Sequence, residues 1–175
     1  MSNTKKYVIT SITLGAIAAA SAGLISVTNL ITRDQIAKNE KDRITAGITR
    51  IFGQNASISS EKDVSGFQYL QHLYEISGEQ KGYAYRATGS NNYGKISLII
   101  GFKLASAQYN FSGMYVVVNE QTYATTLVDN YINPVNAGDI DYSTDESVKC
   151  GATYGAKLVR SMIDEATAAV NQINK

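Results

Sequence analysis

Lys149-Cys150-Gly151-Ala152-Thr153-Tyr154-Gly155-Ala156-Lys157 is a small-residue turn that runs straight into the clearest amphipathic pattern of the chain. Ala152, Ala156, Val159, Met162, Ile163, Ala166, Val170 and Ile173 return at intervals of three and four. That spacing predicts a long helix over residues 150–173 with one apolar face, which must lie against a sheet or other helices. Gly151, Gly155 and Ala152 let a bulky group approach the backbone at the helix mouth, where the first N–H groups have no partner within the helix. A phosphate is well placed there, beside the hydroxyl of Thr153. The plainer alternative makes the glycines turn and packing residues and Thr153 a helix cap.

Upstream of that turn the pattern changes from helix to strand. Gly82 to Thr88 alternates aromatic or small residues with polar ones, and Ser90 to Gly94 supplies a turn, so a hairpin is expected. Ile96, Leu98 and Ile100 share one parity and Ile99 takes the other, as in a strand covered on both faces. Met114 to Val118 is a further apolar, β-branched run. Together these predict an α+β fold, a twisted antiparallel sheet packed by helices. Thr125 to Ile132 reads as a short helix ended by Pro134, and Asn136 to Asp139 as a turn. Asp139, Asp141, Asp145 and Glu146 fit no EF-hand spacing and read as solvated loop charges, so no metal site is expected. Phe67, Leu70, Leu73 and Tyr74 suggest one face of a helix, with His72 beside it as a structural residue. Gly53 to Gly66, with Ser57, Ser59, Ser60 and Ser65, reads as a linker or surface loop.

The first segment has another character. From Tyr7 to Thr32 no residue is charged, and as a helix this run spans about 39 Å against a hydrocarbon core of roughly 30 Å. Residues 7–32 are therefore expected to cross a lipid bilayer. Lys5 and Lys6 keep the amino terminus cytoplasmic and put the following domain on the extracytoplasmic face. A cleaved signal peptide is the competing reading, with small residues around Ala20 and Ala22, but the apolar run continues through Leu24, Ile25, Val27, Leu30 and Ile31. Thr32 and Gln35 form a capping-box pattern for a juxtamembrane helix, with Ile36, Ile44, Ile48 and Ile51 on its apolar side. The expected organisation is an anchor over 1–32, a helix and linker over 33–66, and a domain over 67–175.

Composition narrows the function. Lys plus Arg number 16 against 15 for Asp plus Glu, a net charge of +1 that supplies no field for nucleic acid. Cys150 is the single cysteine and His72 the single histidine, so neither an intrachain disulfide nor a Cys/His metal cluster can form. With 12 Tyr, 4 Phe and no Trp, tyrosine is the main aromatic available to stack on a flat ligand.

The 149–157 segment resembles the attachment motif of the covalent FMN-binding domains in the G subunit of Rnf-type electron-transport complexes and the C subunit of sodium-pumping NADH:quinone oxidoreductases. In that family a Ser/Thr-Gly-Ala-Thr sequence carries FMN as a phosphoester on its threonine, which matches Thr153, with Gly151, Ala152 and Cys150 preceding it. The order of anchor, charged helix, sheet and final helix resembles the family over nearly the whole chain, including a Gly-Tyr strand and a long strand ending in Gly101-Phe102. The family's Glu-Thr-Pro-Gly loop has its nearest counterpart in Asn119 to Thr126, where Glu120 matches best and either Gln121 or Thr122 takes the threonine's place. Tyr154 and Tyr123 are candidates to stack on the flavin ring. The chain departs from the pattern at Cys150, where the family has Ser or Thr, and at Ser147, where it has Asp. Asp145 or Glu146 could substitute through a loop shift; otherwise flavin is bound noncovalently or absent.

The resemblance implies a membrane-anchored flavoprotein that carries electrons through FMN on Thr153, as a subunit of an Rnf-like complex or a stand-alone extracytoplasmic carrier. Its partners are then membrane redox subunits or other electron carriers, with a flavin transferase for maturation. Two alternatives stand beside it. One is a flavin-dependent reductase of a small acceptor, which needs convergent charged groups. The other is an anchored binding or adaptor module without cofactor.

Overall fold

The computed structural model describes residues 3–173, in which the chain divides into two compact units, one ending at Asp42 and one beginning at Arg43. Helix α1 spans Asn3–Phe52. In the first unit its uncharged stretch is exposed along its length and is long and apolar enough to cross a bilayer. This is the one such helix among the described residues, which supports a single membrane span. The helix start expected at Thr32 does not occur. The preceding turn is already helical, and the Thr32 hydroxyl donates back to Thr28 O at 2.7 Å in place of capping a new helix.

The second unit is built on a sheet. Among the described residues five strands, β1 (Ser57–Asp63), β2 (Leu70–Ser77), β3 (Gly82–Asn91), β4 (Gly94–Ala105) and β5 (Gln108–Asn119), pair antiparallel in sequence order. The fold is α+β, a sheet packed by helices on both faces. Ile96 to Phe102 of β4 are all buried, as the two-faced apolar pattern requires. On one face Leu98, Ile100 and Phe102 pack with α4 (Thr153–Ile173), whose Ala156, Val159, Met162, Ile163, Ala166 and Val170 are fully buried. On the other, Ile44, Ile48, Ile51 and Phe52 from the last turns of α1 close over Tyr74, Ile76, Ala84, Ile99 and Val117. Arg43 fixes the start of that segment by donating to Val117 O at 2.7 Å.

Two stretches differ from their sequence pattern. Residues 67–74 were expected to be helical, yet β2 begins at Leu70. A bulge between Leu70 and His72 shifts the register, so that Leu70 and Leu73, three apart, both pack toward α4 while Tyr74 and Ile76 pack toward α1. A bulged strand thus imitates helical spacing. The Ser-rich stretch holds β1, an almost wholly exposed edge strand. Its order comes from its neighbour: Ser57 and Ser77 hydroxyls lie 3.0 Å apart, and Lys62 pairs with Glu75 at 2.7 Å. No apolar alternation marks it.

After β5 the chain makes α2 (Ala124–Leu127), a wide π turn over Val128–Ile132 and α3 (Asn133–Ala137). Pro134 does not end this helical run, as its sequence suggested. The Asn133 N–H reaches back to Val128 O, and the residue lacking an N–H then falls in the first turn of α3, where none is needed. Gly138, at φ 80°, ends the run.

The α1 face of the sheet is packed without slack at Gly101, where an added Cβ would stand 2.6 Å from Ile51 Cγ2 and 3.1 Å from the Phe52 ring. Gly101→Ala should therefore lower stability by about 1–3 kcal/mol, read as a drop in the denaturation midpoint. A neutral result would mean that the α1 turns sit more loosely on the sheet than these distances require. A second expectation concerns alkaline pH. Burial pushes the phenols of Tyr85 and Tyr131 up to about 12, whereas an unfolded phenol titrates near pH ~10. Each thus contributes stability that is complete below the unfolded value and lost as pH rises toward the folded one. Melting temperature should fall over this interval, with a shallower slope in Tyr85→Phe and Tyr131→Phe. Equal slopes in all three proteins would assign the alkaline limit to other groups.

Candidate functional site

Three segments distant in sequence meet at one end of the sheet: the β3–β4 turn, the loop that leaves β5, and the mouth of α4. Between them is an open cleft of about 300 Å³. Its floor and walls are Gly151, Ala152, Thr153, Tyr154 and Gly155 from the helix mouth, Gln121, Tyr123 and Leu127 from the β5 side, and Tyr93 from the turn.

Backbone hydrogen bonds lace the first two segments together. Glu120 N donates to Lys95 O at 2.8 Å and Thr122 N to Tyr93 O at 2.7 Å, and the side chain of Gln121 adds a third bond, its Nε2 donating to Gly94 O. Gly94 is required here. Its φ is 129°, and a Cβ would stand 2.1 Å from the carbonyl oxygen of Glu120. Asn91 joins the turn to the helix: its Oδ1 accepts from Tyr93 N at 2.8 Å and its Nδ2 donates to Tyr154 O at 3.2 Å.

The helix mouth is shaped from behind. Gly151, at φ 87°, turns the chain into α4. At Gly155 a Cβ would lie 3.0 Å from Leu127 Cδ2, so helix and loop are in close contact. Ala156 N donates to Ala152 O at 2.9 Å, and the N–H groups of the turn before it lie where an α-helix offers no internal acceptor. Thr153 is half-buried at that point. The connection leading in is clamped by Arg160 of α4, which binds Asp145 Oδ1 at 2.7 Å and Ser143 O at 2.5 Å. Arg160 holds the Asp145 carboxyl below its ordinary range, and the N–H and hydroxyl of Ser143 do the same for Asp141.

The residues singled out from sequence are distributed as follows. Thr153, Gly151, Ala152, Tyr154 and Tyr123 line the cleft, whereas Cys150 borders a separate hollow with Asn130, Ser147 and Lys149. The Cys150 carbonyl accepts from Asn130 Nδ2 at 3.1 Å. Glu120 and Thr122 are exposed outside the lining, and the Thr122 hydroxyl donates to Tyr93 O at 3.1 Å. Of the two residues left open for the loop position, Gln121 is the one that lines the cleft, buried to 6% exposure. Ser147 is also buried and donates to Thr144 O at 2.7 Å, while Asp145 is tied to Arg160 and Glu146 to Lys149. Tyr93 was missed. The signal was an aromatic residue inside a polar turn, where turn formation alone has no use for a large ring.

Among the described residues no group of three or more His, Cys, Asp or Glu could hold a metal ion. His72 lies on the sheet with its Nδ1 2.8 Å from Asp63.

Residues 1–47 match the family model described as the RnfG N-terminal region. No curated protein matches the chain. The match covers 47 of 175 residues and leaves the cleft outside it. Together with the apolar helix it is consistent with a membrane-anchored subunit of an Rnf-like complex.

Proposed function

We propose that this chain is a membrane-anchored flavoprotein that carries electrons through FMN, held at the cleft and joined to Thr153 by a phosphoester. The observation on which this rests is the cleft itself: a threonine at the mouth of a 21-residue helix, half-buried, with small residues beside it and three tyrosines around it. The residues fit the group. The α4 mouth offers free N–H donors and the positive end of the helix dipole to a phosphate. Gly151 and Ala152 leave the approach to Thr153 clear, and the tyrosines offer apolar faces to a ring. At about 300 Å³ the cleft is at the lower bound of ligand pockets and is open on one side. It would cradle the phosphate and part of the ring and leave an edge accessible to a redox partner.

When bound, FMN supplies one- and two-electron chemistry. The chain's own task is positioning: Thr153 tethers, the helix mouth neutralises, Gln121 and the loop from β5 hold the wall, and Arg160 keeps the entering turn in place. Membrane redox subunits of an Rnf-like complex, or other electron carriers, are the partners of this reading, with a flavin transferase to make the ester. Lys5 and Lys6 favour an amino terminus in the cytoplasm and a domain on the extracytoplasmic face.

The test is the full chain isolated from its native membrane. A denatured band that fluoresces under ultraviolet light, with a mass gain of one FMN less one water, supports the ester. Flavin released on denaturation supports noncovalent binding. A colourless protein after expression with a flavin transferase sinks the flavin reading and leaves the adaptor.

A further inference from the structure

The cleft has an aromatic wall whose organising residue is Tyr93. Its ring lies 5.2 Å from that of Tyr154 with planes 24° apart, and 6.2 Å from that of Tyr123 at 48°. Tyr93 is thus the ring with which both others pack. None of the three is a core residue, since Tyr93, Tyr123 and Tyr154 keep 37%, 54% and 63% of their surface exposed. Three large rings gathered at the rim of a cavity and left open to water are poor packing and a good surface for a flat ligand.

The backbone that presents Tyr93 is fixed from both sides. Its N–H is held by Asn91, which also bonds the Tyr154 carbonyl, and its own carbonyl accepts both the N–H and the hydroxyl of Thr122. With its backbone held, only the side-chain rotamers of Tyr93 are left to be ordered when something lies against its ring. Tyr123 and Tyr154 are the more exposed pair. A planar guest therefore meets Tyr93 whichever of the other two gives way.

We infer that Tyr93 is the ring-recognising residue of the cleft, the contact that selects a flat conjugated ligand such as an isoalloxazine. This rests on the flavin reading above and adds to it the side chain that reads the ring. A phenol in contact with a photoexcited flavin gives it one electron and takes it back without emission, leaving both unchanged, so contact is seen as quenching. Phenylalanine keeps the shape of the ring but is far harder to oxidise.

The experiment uses the full chain, expressed with a flavin transferase, in a Tyr123→Phe/Tyr154→Phe background that removes the other two phenols of the cleft, with Tyr93 kept or carrying Tyr93→Phe or Tyr93→Leu. Emission yield and lifetime of the attached flavin are compared at equal flavin content. The expected result is a several-fold gain in emission and a longer lifetime in both variants. Added FMN should bind Thr153→Ala/Tyr93→Leu about tenfold more weakly than Thr153→Ala, and Thr153→Ala/Tyr93→Phe nearly as well as Thr153→Ala. If Tyr93→Leu fails to fold, the phenylalanine variant decides. Flavin that is equally dim with and without Tyr93→Phe in that background overturns the assignment of Tyr93 while leaving the flavin site standing. A wild type that takes up no flavin in either form overturns both.

Discussion

Thr153→Ala should remove all covalent flavin from the full chain, abolishing the fluorescent band and the added mass, while Thr153→Ser retains part of both. The contrast follows from chemistry. An ester needs an oxygen at that position, which serine keeps and alanine lacks. Structure should be little affected, because Thr153 is half-buried on the first turn of α4 and losing its methyl and hydroxyl costs about 1 kcal/mol. The two variants should therefore melt close to the wild type. Label that persists in Thr153→Ala would place the attachment elsewhere, and the hydroxyls of Thr122 and Thr126 would be the next positions to map. Loss of label together with collapse of the fold would point to a structural role for Thr153.

Shortening the chain should have an equally large effect that depends on where it begins. A chain starting at Arg43 should fold, because the second compact unit begins there. A chain starting at Gly53 should not remain soluble. It lacks Ile44, Ile48, Ile51 and Phe52, all buried against the sheet. At about 1.5–3 kcal/mol for each buried side chain, their loss is on the order of 6–12 kcal/mol, comparable to the entire stability of a typical domain. Tyr74, Ile76, Ala84, Ile99 and Val117 would then form an apolar face open to water. A soluble, cooperatively melting protein starting at Gly53 would show that the α1 turns lie on the sheet without stabilising it.

What sequence conveyed about this molecule depended on how local the determining interactions are. The spacing over residues 152–173 announced α4 because a helix face repeats within a few residues. The two-sided β4 announced itself by apolar residues of both parities, Ile96, Leu98 and Ile100 on one and Ile99 on the other. β1 did not, since its order is supplied by pairing with Ser77, Glu75 and their neighbours and not by its own side chains. The residues at β2 misled because one bulge changed the parity of Leu70. At the candidate site, Thr153 and its small neighbours were legible as a contiguous turn. Tyr93 was not, and Gln121 could not be told from Thr122, because their places are set by hydrogen bonds between segments far apart in the chain.

The Asn91 bridge to the Tyr154 carbonyl has a temporal consequence. It joins the middle of the chain to a helix that follows the five described strands in sequence, so the setting of the threonine is complete only where the β3–β4 turn and that helix have met. Under the flavin reading, an enzyme that recognises this setting acts on finished molecules and passes over nascent ones. Flavin content would then count the properly assembled fraction of a population, a built-in record of maturation.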